Sequence, residues 1–138
     1  MTGKLTKGTF ALALASAGLS VGASAGEDPL AGYRWASRVL VVAAPDASND
    51  LYRAQREALA SARKGRAERD LVTLEAVGPG AKAEALRRRL GLPGDAFRAV
   101  LVGKDGGVKL SSDRPIPPQT LFGTIDAMPM RQDEMRRR

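Results

Sequence analysis

The chain has 138 residues, with 22 Lys and Arg against 15 Asp and Glu, a formal net charge of +7, and neither cysteine nor histidine. Without a thiolate there is no disulfide exchange and no thiol-based peroxide reduction. Without imidazole there is no Ser–His pair, no His-based acid–base step and no zinc site built from Cys and His.

Met1 to Thr9 carries Lys4 and Lys7 and no acid, and Phe10 to Val21 is an uncharged apolar run. Ala23-Ser24-Ala25 then supplies small residues at the spacing a signal peptidase needs. This pattern predicts a secretory signal peptide over residues 1–25, because the apolar run is short of the ~20 residues a bilayer span requires. The mature chain would start at Gly26 and hold 113 residues, one domain in size. A domain of that length buries roughly 65% of its unfolded surface and needs no disulfide to hold a core. Loss of Lys4 and Lys7 leaves 20 basic residues against 15 acidic ones, a charge of +5. Export, to the periplasm or beyond the cell, argues against nucleic acid as a partner. It leaves an envelope protein or an anionic glycan or lipid surface, to which net positive charge is attracted. No later segment reads as a transmembrane span.

Residues 26–37 form a lead-in whose Tyr33 and Trp35 are expected to pack on the sheet edge. Val39 to Ala44 is a continuous apolar run ending at Pro45, as in a strand covered on both faces. Leu51 to Lys64 reads as a helix with Leu51, Ala54, Ala58 and Ala62 on one row, caps at Ser48, Asn49 or Asp50, and a stop at Gly65. Leu71 to Val77 is a second strand with Val72, Leu74 and Ala76 on one face. Ala81 to Leu90 is a second helix with Ala83, Leu86 and Leu90 inward and Gly91 as its C-terminal stop.

Phe97 to Val102 is a third strand, and Lys104-Asp105-Gly106-Gly107 a tight turn leading into an antiparallel return over Val108 to Leu110. Pro117 and Pro118 open a last helix with a stripe of Leu121, Phe122, Ile125 and Met128, closed by Pro129. Residues 130–138 read as a charged tail that frays. The order β-α-β-α-β-β-α predicts an α/β domain over residues 38–129, a small mixed sheet flanked by helices, with the first two strands parallel across a right-handed crossover.

Among the remaining groups, Asp46 stands at the carboxyl end of the first strand, where open α/β sheets gather ligands. Ser48 and Asn49 follow at the helix start, where free N–H groups can hold an anion. The same residues are the usual helix caps, so both roles are open. Arg98, opening the third strand, is grouped with them as a candidate binding residue. Arg87, Arg88 and Arg89 form a candidate basic surface, or a solvated helix face. Asp105 beside two glycines is a turn signal, and no calcium-loop spacing is present. Met128, Met130 and Met135 are better explained by packing than by copper. Asp113 and Asp126 show no spacing for paired acid–base work. No cofactor and no metal are expected.

Three segments carry a family resemblance: Trp35 through Asp46 ("WASRVLVVAAPD"), Val102 to Leu110 ("VGKDGGVKL") and Ile125 to Arg136 ("IDAMPMRQDEMR"). With them the chain resembles the domain of unknown function called DUDES (the domain-of-unknown-function 4174 family), found in exported bacterial proteins and vertebrate extracellular sushi-repeat proteins. The resemblance implies a thioredoxin-like fold outside the cytoplasm and brings no activity. Against working thioredoxins the active-site loop has Ala44-Pro45-Asp46-Ala47-Ser48 where cysteines would stand, and the position of their cis-proline corresponds to Phe97. The expected function is a non-redox binding or interaction module of the cell envelope. A thiol-independent enzyme or small-anion binder using the Asp46 loop, and an electrostatic binder of anionic glycan or lipid, are the alternatives.

Overall fold

The computed structural model describes residues 27–138, and the expected signal peptide lies outside them. The elements are β1 (Arg38–Ala44), α1 (Asp50–Ala60), α2 (Arg63–Glu68), β2 (Leu71–Val77), α3 (Ala81–Leu90), β3 (Arg98–Val102), β4 (Val108–Ser112), α4 (Pro118–Asp126) and α5 (Pro129–Arg136). The strands form one sheet in the order β2-β1-β3-β4, with β1 parallel to β2 and the other pairs antiparallel. A parallel pair joined through helices, followed by an antiparallel hairpin and a covering helix, is the layout of the thioredoxin-like fold.

Strand β1 is central and buried over all seven residues, as its unbroken apolar run requires. Alternation divides it between two cores. Leu40, Val42 and Ala44 pack with Tyr52 and Leu59 of α1, Phe97, and Leu121 and Ile125 of α4. Val39, Val41 and Ala43 pack on the other side with Leu30, Ala76, and Ala83 and Leu86 of α3. Side chains of this size contribute about 1.5–3 kcal/mol each when fully buried. The faces expected for β2, α3 and α4 are the ones observed, with Phe122 and Met128 packed against the first core. Gly91 ends α3 in the left-handed region (φ 66).

Four local expectations are corrected. The single helix over residues 51–64 is two, because the chain turns at Ser61 and Ala62 before α2 starts. Its inward face is Tyr52, Gln55 and Leu59, one position on from the expected row, and Leu51 is exposed. Gln55 is the physical reason: its side chain donates to Ile116 O (3.0 Å) and accepts from Ile116 N (2.7 Å), satisfying a buried backbone segment that no strand pairs. Gly65 does not stop a helix but lies within α2, where a Cβ would stand 2.5 Å from the Phe122 ring. Trp35 does not pack on the sheet edge. It is 64% exposed, with φ at 67°, while Tyr33 joins the second core.

The fraying tail is corrected too. Most of residues 130–138 form α5, opened by Pro129 at its first turn and anchored by Arg131, which is buried.

Candidate functional site

At the carboxyl end of β1 the chain closes a turn on itself. Asp46 Oδ1 accepts from the Ser48 backbone N–H (2.9 Å) and from the Ser48 hydroxyl. Those two bonds, side chain first, hold the Asp46 carboxyl below the usual carboxylate range. Asn49 Oδ1 accepts from Tyr52 N at 3.0 Å and so caps α1. Asp46 Oδ1, the Ser48 hydroxyl and Asn49 Oδ1 are therefore engaged within the loop and the first turn of α1. Arg98 pairs across the sheet with Ala43, near this edge, and its Nε is buried without a hydrogen-bond partner. Phe97 is buried in the core, and no cis peptide bond occurs among the described residues.

The three arginines of α3 do not share one surface. Arg87 folds back to donate to the carbonyls of Ala76 and Gly78 at the end of β2. Arg89 holds Asp28 of the lead-in at 3.0 Å, and Arg88 alone is exposed. Asp28 is in turn kept ionised below its usual range by the Leu30 backbone N–H and by Arg89. No group of three or more His, Cys, Asp and Glu side chains that could hold a metal ion occurs among the described residues. Met128 packs on the core, and Met130 and Met135 stand partly exposed.

The densest polar constellation lies at the other pole of the sheet. Arg38 begins β1, Asp70 directly precedes β2, and Lys104 follows β3, so the strand directions bring all three to one end. Glu134 reaches them from α5. It accepts from Arg38 through both oxygens (3.2 and 3.1 Å) and from Lys104 Nζ (2.9 Å), which also donates to Asp70 (2.9 Å). Burial works against ionisation of Glu134, but the hydrogen bonds from Arg38 and Lys104 outweigh it and lower the carboxyl to about 2.

Beside this cluster Asp126 takes two hydrogen bonds from Arg69 (3.0 and 2.9 Å) and one from Arg131 Nε (3.0 Å). The Arg69 bonds chiefly, with the one from Arg131, hold Asp126 below its usual range. Arg69 also stacks its guanidinium 4.2 Å from the centre of the Phe122 ring. Sequence spacing could not reveal the Arg69–Asp126 and Arg38–Glu134 pairs, whose members lie 57 and 96 positions apart. The one local signal is an arginine, Arg38, standing directly before the apolar run of β1.

A cleft of about 330 Å³ opens over this pole, between the lead-in at Trp35, the turn at Lys104 and Asp105, and the start of α5. All of its lining residues fall within the three segments 35–46, 102–110 and 125–136. Gly103 makes room for one wall, since a Cβ there would meet the Lys109 side chain at 2.6 Å. Lys109 lies across it and donates to Asp105 (2.9 Å). Asp105 also accepts from Gly107 N, and these bonds, Lys109 first, keep its carboxyl below the usual range.

The fold and its loops define a thioredoxin-like domain with no thiol at the active-site loop. Residues 29–134 match the model of the family described as Domain of unknown function (DUF4174), and the chain belongs to that family. It is 36% identical over 112 residues to the sushi repeat-containing protein SRPX of Rattus norvegicus and to that of Homo sapiens, an alignment covering 71% of this chain and 24% of each relative. The chain thus spans about a quarter of the length of these curated relatives. No solved structure matches the chain at a significant level. Among the described residues no helix is long and apolar enough to cross a membrane.

Proposed function

We propose that the chain is an exported, non-redox interaction module that binds a partner in the cell envelope and performs no chemistry of its own. The observation that carries this reading is the closed Asp46 turn. Asp46 Oδ1 is bonded to Ser48 and Asn49 caps α1, so the edge where a thioredoxin-like domain would carry its thiols is organised here as a turn and helix cap. The half-buried carboxylates Glu134 and Asp126 are held by arginine and lysine and kept ionised, which suits structure rather than proton transfer. The relatives' printed name, a sushi repeat-containing protein, describes chains in which this domain is one part among others, as suits an interaction module.

The test is affinity capture from envelope extract of the source cells, with Gly26 to Arg138 as bait and washes at low and high salt. A single defined protein retained at high salt is the expected result. Heterogeneous anionic material lost above ~0.15 M salt would instead show attachment by charge alone, since exposed charges are then screened within ~8 Å. Turnover of an envelope substrate that Asp46→Ala abolishes without lowering the melting temperature would overturn the reading in favour of an enzyme.

A further inference from the structure

Strand β2 lies at one edge of the sheet and is paired on one side only, to β1, through an unbroken register from Arg38↔Leu71 to Ala44↔Val77. The two ends of that ladder show which way each residue points. Arg38 N donates to Asp70 O (2.8 Å) and Gly78 N donates to Ala44 O (3.3 Å), so the even-numbered residues of β2 spend their backbone groups on β1. The N–H and C=O groups of Leu71, Thr73, Glu75 and Val77 therefore point outward, with no backbone partner among the described residues. Arg87 donates to the carbonyls of Ala76 and Gly78 and leaves these outward groups free. The opposite edge is protected where this one is open. Strand β4 is short, carries Lys109, and pairs across a register shift at Leu101 and Val102. Strand β2 has seven residues, no proline, an even register and one charge, Glu75.

A groove of about 830 Å³ runs beside this edge, between the lead-in at Pro29 and Tyr33 and the α3 residues Ala81, Ala85 and Leu86. Leu74 of β2 is part of its lining and is half-buried. The charges around it balance. Asp28 holds Arg89 and Glu75 stands 3.7 Å from Arg56, which leaves Glu27 and Lys82, one of each sign. Charge therefore selects neither an acidic nor a basic ligand. The open backbone groups and the apolar groove select an extended strand with an apolar side chain at the level of Leu74.

Strand β2 is itself such a strand. Laid antiparallel on its own copy around Leu74, it opposes Leu71 to the second copy's Val77, Thr73 to its Glu75, and Leu74 to its Leu74. The outward-pointing residues then meet as hydrogen-bonded pairs, and Val72, Leu74 and Ala76 form the closely approaching pairs on the groove side. This register uses the whole strand and sets each Glu75 opposite a threonine. Moving the two-fold axis to Glu75 would oppose the two carboxylates, and moving it to Thr73 would leave the end of β2 at Val77 without a strand partner. We infer that residues 71–77 are a homodimer interface, in which two copies join edge to edge into one continuous sheet about a two-fold axis at Leu74. The occupant is a second copy because a strand that complements itself closes the edge of both chains at once. The inference goes beyond the envelope-partner reading and does not rest on it.

The chain has no cysteine, so single introduced cysteines report the register without background. In the dimer residue 74 faces its own copy in a non-hydrogen-bonded pair, with Cα atoms about 4.5 Å apart, within reach of a disulfide. Mild oxidation of Gly26 to Arg138 carrying Leu74→Cys should give a covalent dimer. Val72→Cys, which faces Ala76 instead, should cross-link about tenfold more slowly or worse. Light scattering on the unaltered chain should show a dimer at high micromolar concentration that dissociates on dilution. Thr73→Pro removes an outward N–H that β1 does not use, so it should raise the dimer dissociation constant about tenfold or more and leave the melting temperature within a few degrees. A monomer at millimolar concentration overturns the inference. So does a dimer that folded Thr73→Pro leaves intact, or cross-linking at residue 72 as fast as at residue 74. Where Thr73→Pro does not fold, the two cysteine variants decide. Extract capture keeps the two readings apart. A monomer that retains a defined partner, lost with Thr73→Pro, would put a foreign strand on this edge, overturning the dimer while keeping the interaction module.

Discussion

Glu134 closes on Arg38 through two parallel hydrogen bonds, 3.2 and 3.1 Å long, joining residues 96 positions apart in the sequence. The pair ties the last helix to the first strand, and Lys104 joins it from the end of β3. Arg38 is fully buried, so its charge depends on this one carboxylate.

Replacing Glu134 by Gln leaves Arg38 and Lys104 without their shared counter-charge. Breaking a buried pair from one side is strongly destabilising, and the partial exposure of Glu134 places this case at the lower end. The expected loss is about 2–3 kcal/mol, read as a lower urea midpoint with an unchanged slope. Arg136→Ala, on the exposed side of the same helix, should change stability by less than about 0.5 kcal/mol.

Acid should act through the same carboxylate. The folded carboxyl of Glu134 titrates at about 2, below its ordinary value of 4.5, so the folded state binds fewer protons than the unfolded one between those values. Its contribution is fully present above about pH 5 and is lost as the pH falls towards 2. Asp126, lowered in the same direction by Arg69 and Arg131, adds to this loss. Melting temperatures measured from pH 7 down to pH 2 should fall steeply in that window, and less steeply for Glu134→Gln.

Gln55→Leu conserves approximate volume but leaves both Ile116 N–H and C=O unsatisfied in the core. Each buried orphan costs on the order of 1–3 kcal/mol, partly offset by the gain in apolar burial. A net loss of about 2 kcal/mol is expected. Gln55→Glu should be worse, because it adds a buried charge.

Trp35→Gly removes the strain of a positive φ at a position where glycine has none. The variant should be as stable as the parent or more stable, by up to about 1 kcal/mol, in its melting temperature. A large drop in melting temperature would show that the indole is held for packing instead.

The sheet was legible because its strands are short apolar runs broken by Pro45, Gly78 and the Asp105-Gly106 turn, signals that act within a few residues. Helix α3 was legible for the same reason, ended by Gly91. Residues whose roles come from distant partners were not. Gln55 reads as a surface residue until Ile116 is brought to it, and Gly65 reads as a stop until Phe122 lies over it. The tail reads as solvated charge because Arg131 and Glu134 match surface composition, and only the fold shows that their partners are Asp126 and Arg38. The position of the Asp46 loop at the strand end is legible from Pro45, but its internal hydrogen bonds depend on a turn geometry that residue order alone leaves open. Trp35 reads as a packing residue because aromatic residues usually lie inside, and nothing local marks one that is held out.

The closure of β1 by α5 also sets when the molecule can be finished. A chain that has emerged only as far as α4 already has every strand of the sheet, yet it buries Arg38 and Lys104 with no Glu134 to balance them. Such an intermediate is penalised electrostatically, so the domain consolidates only when the segment around residue 134 arrives. The last helix thus acts as the latch of the first strand, and a domain cut short before it lacks the counter-charge that its own centre requires.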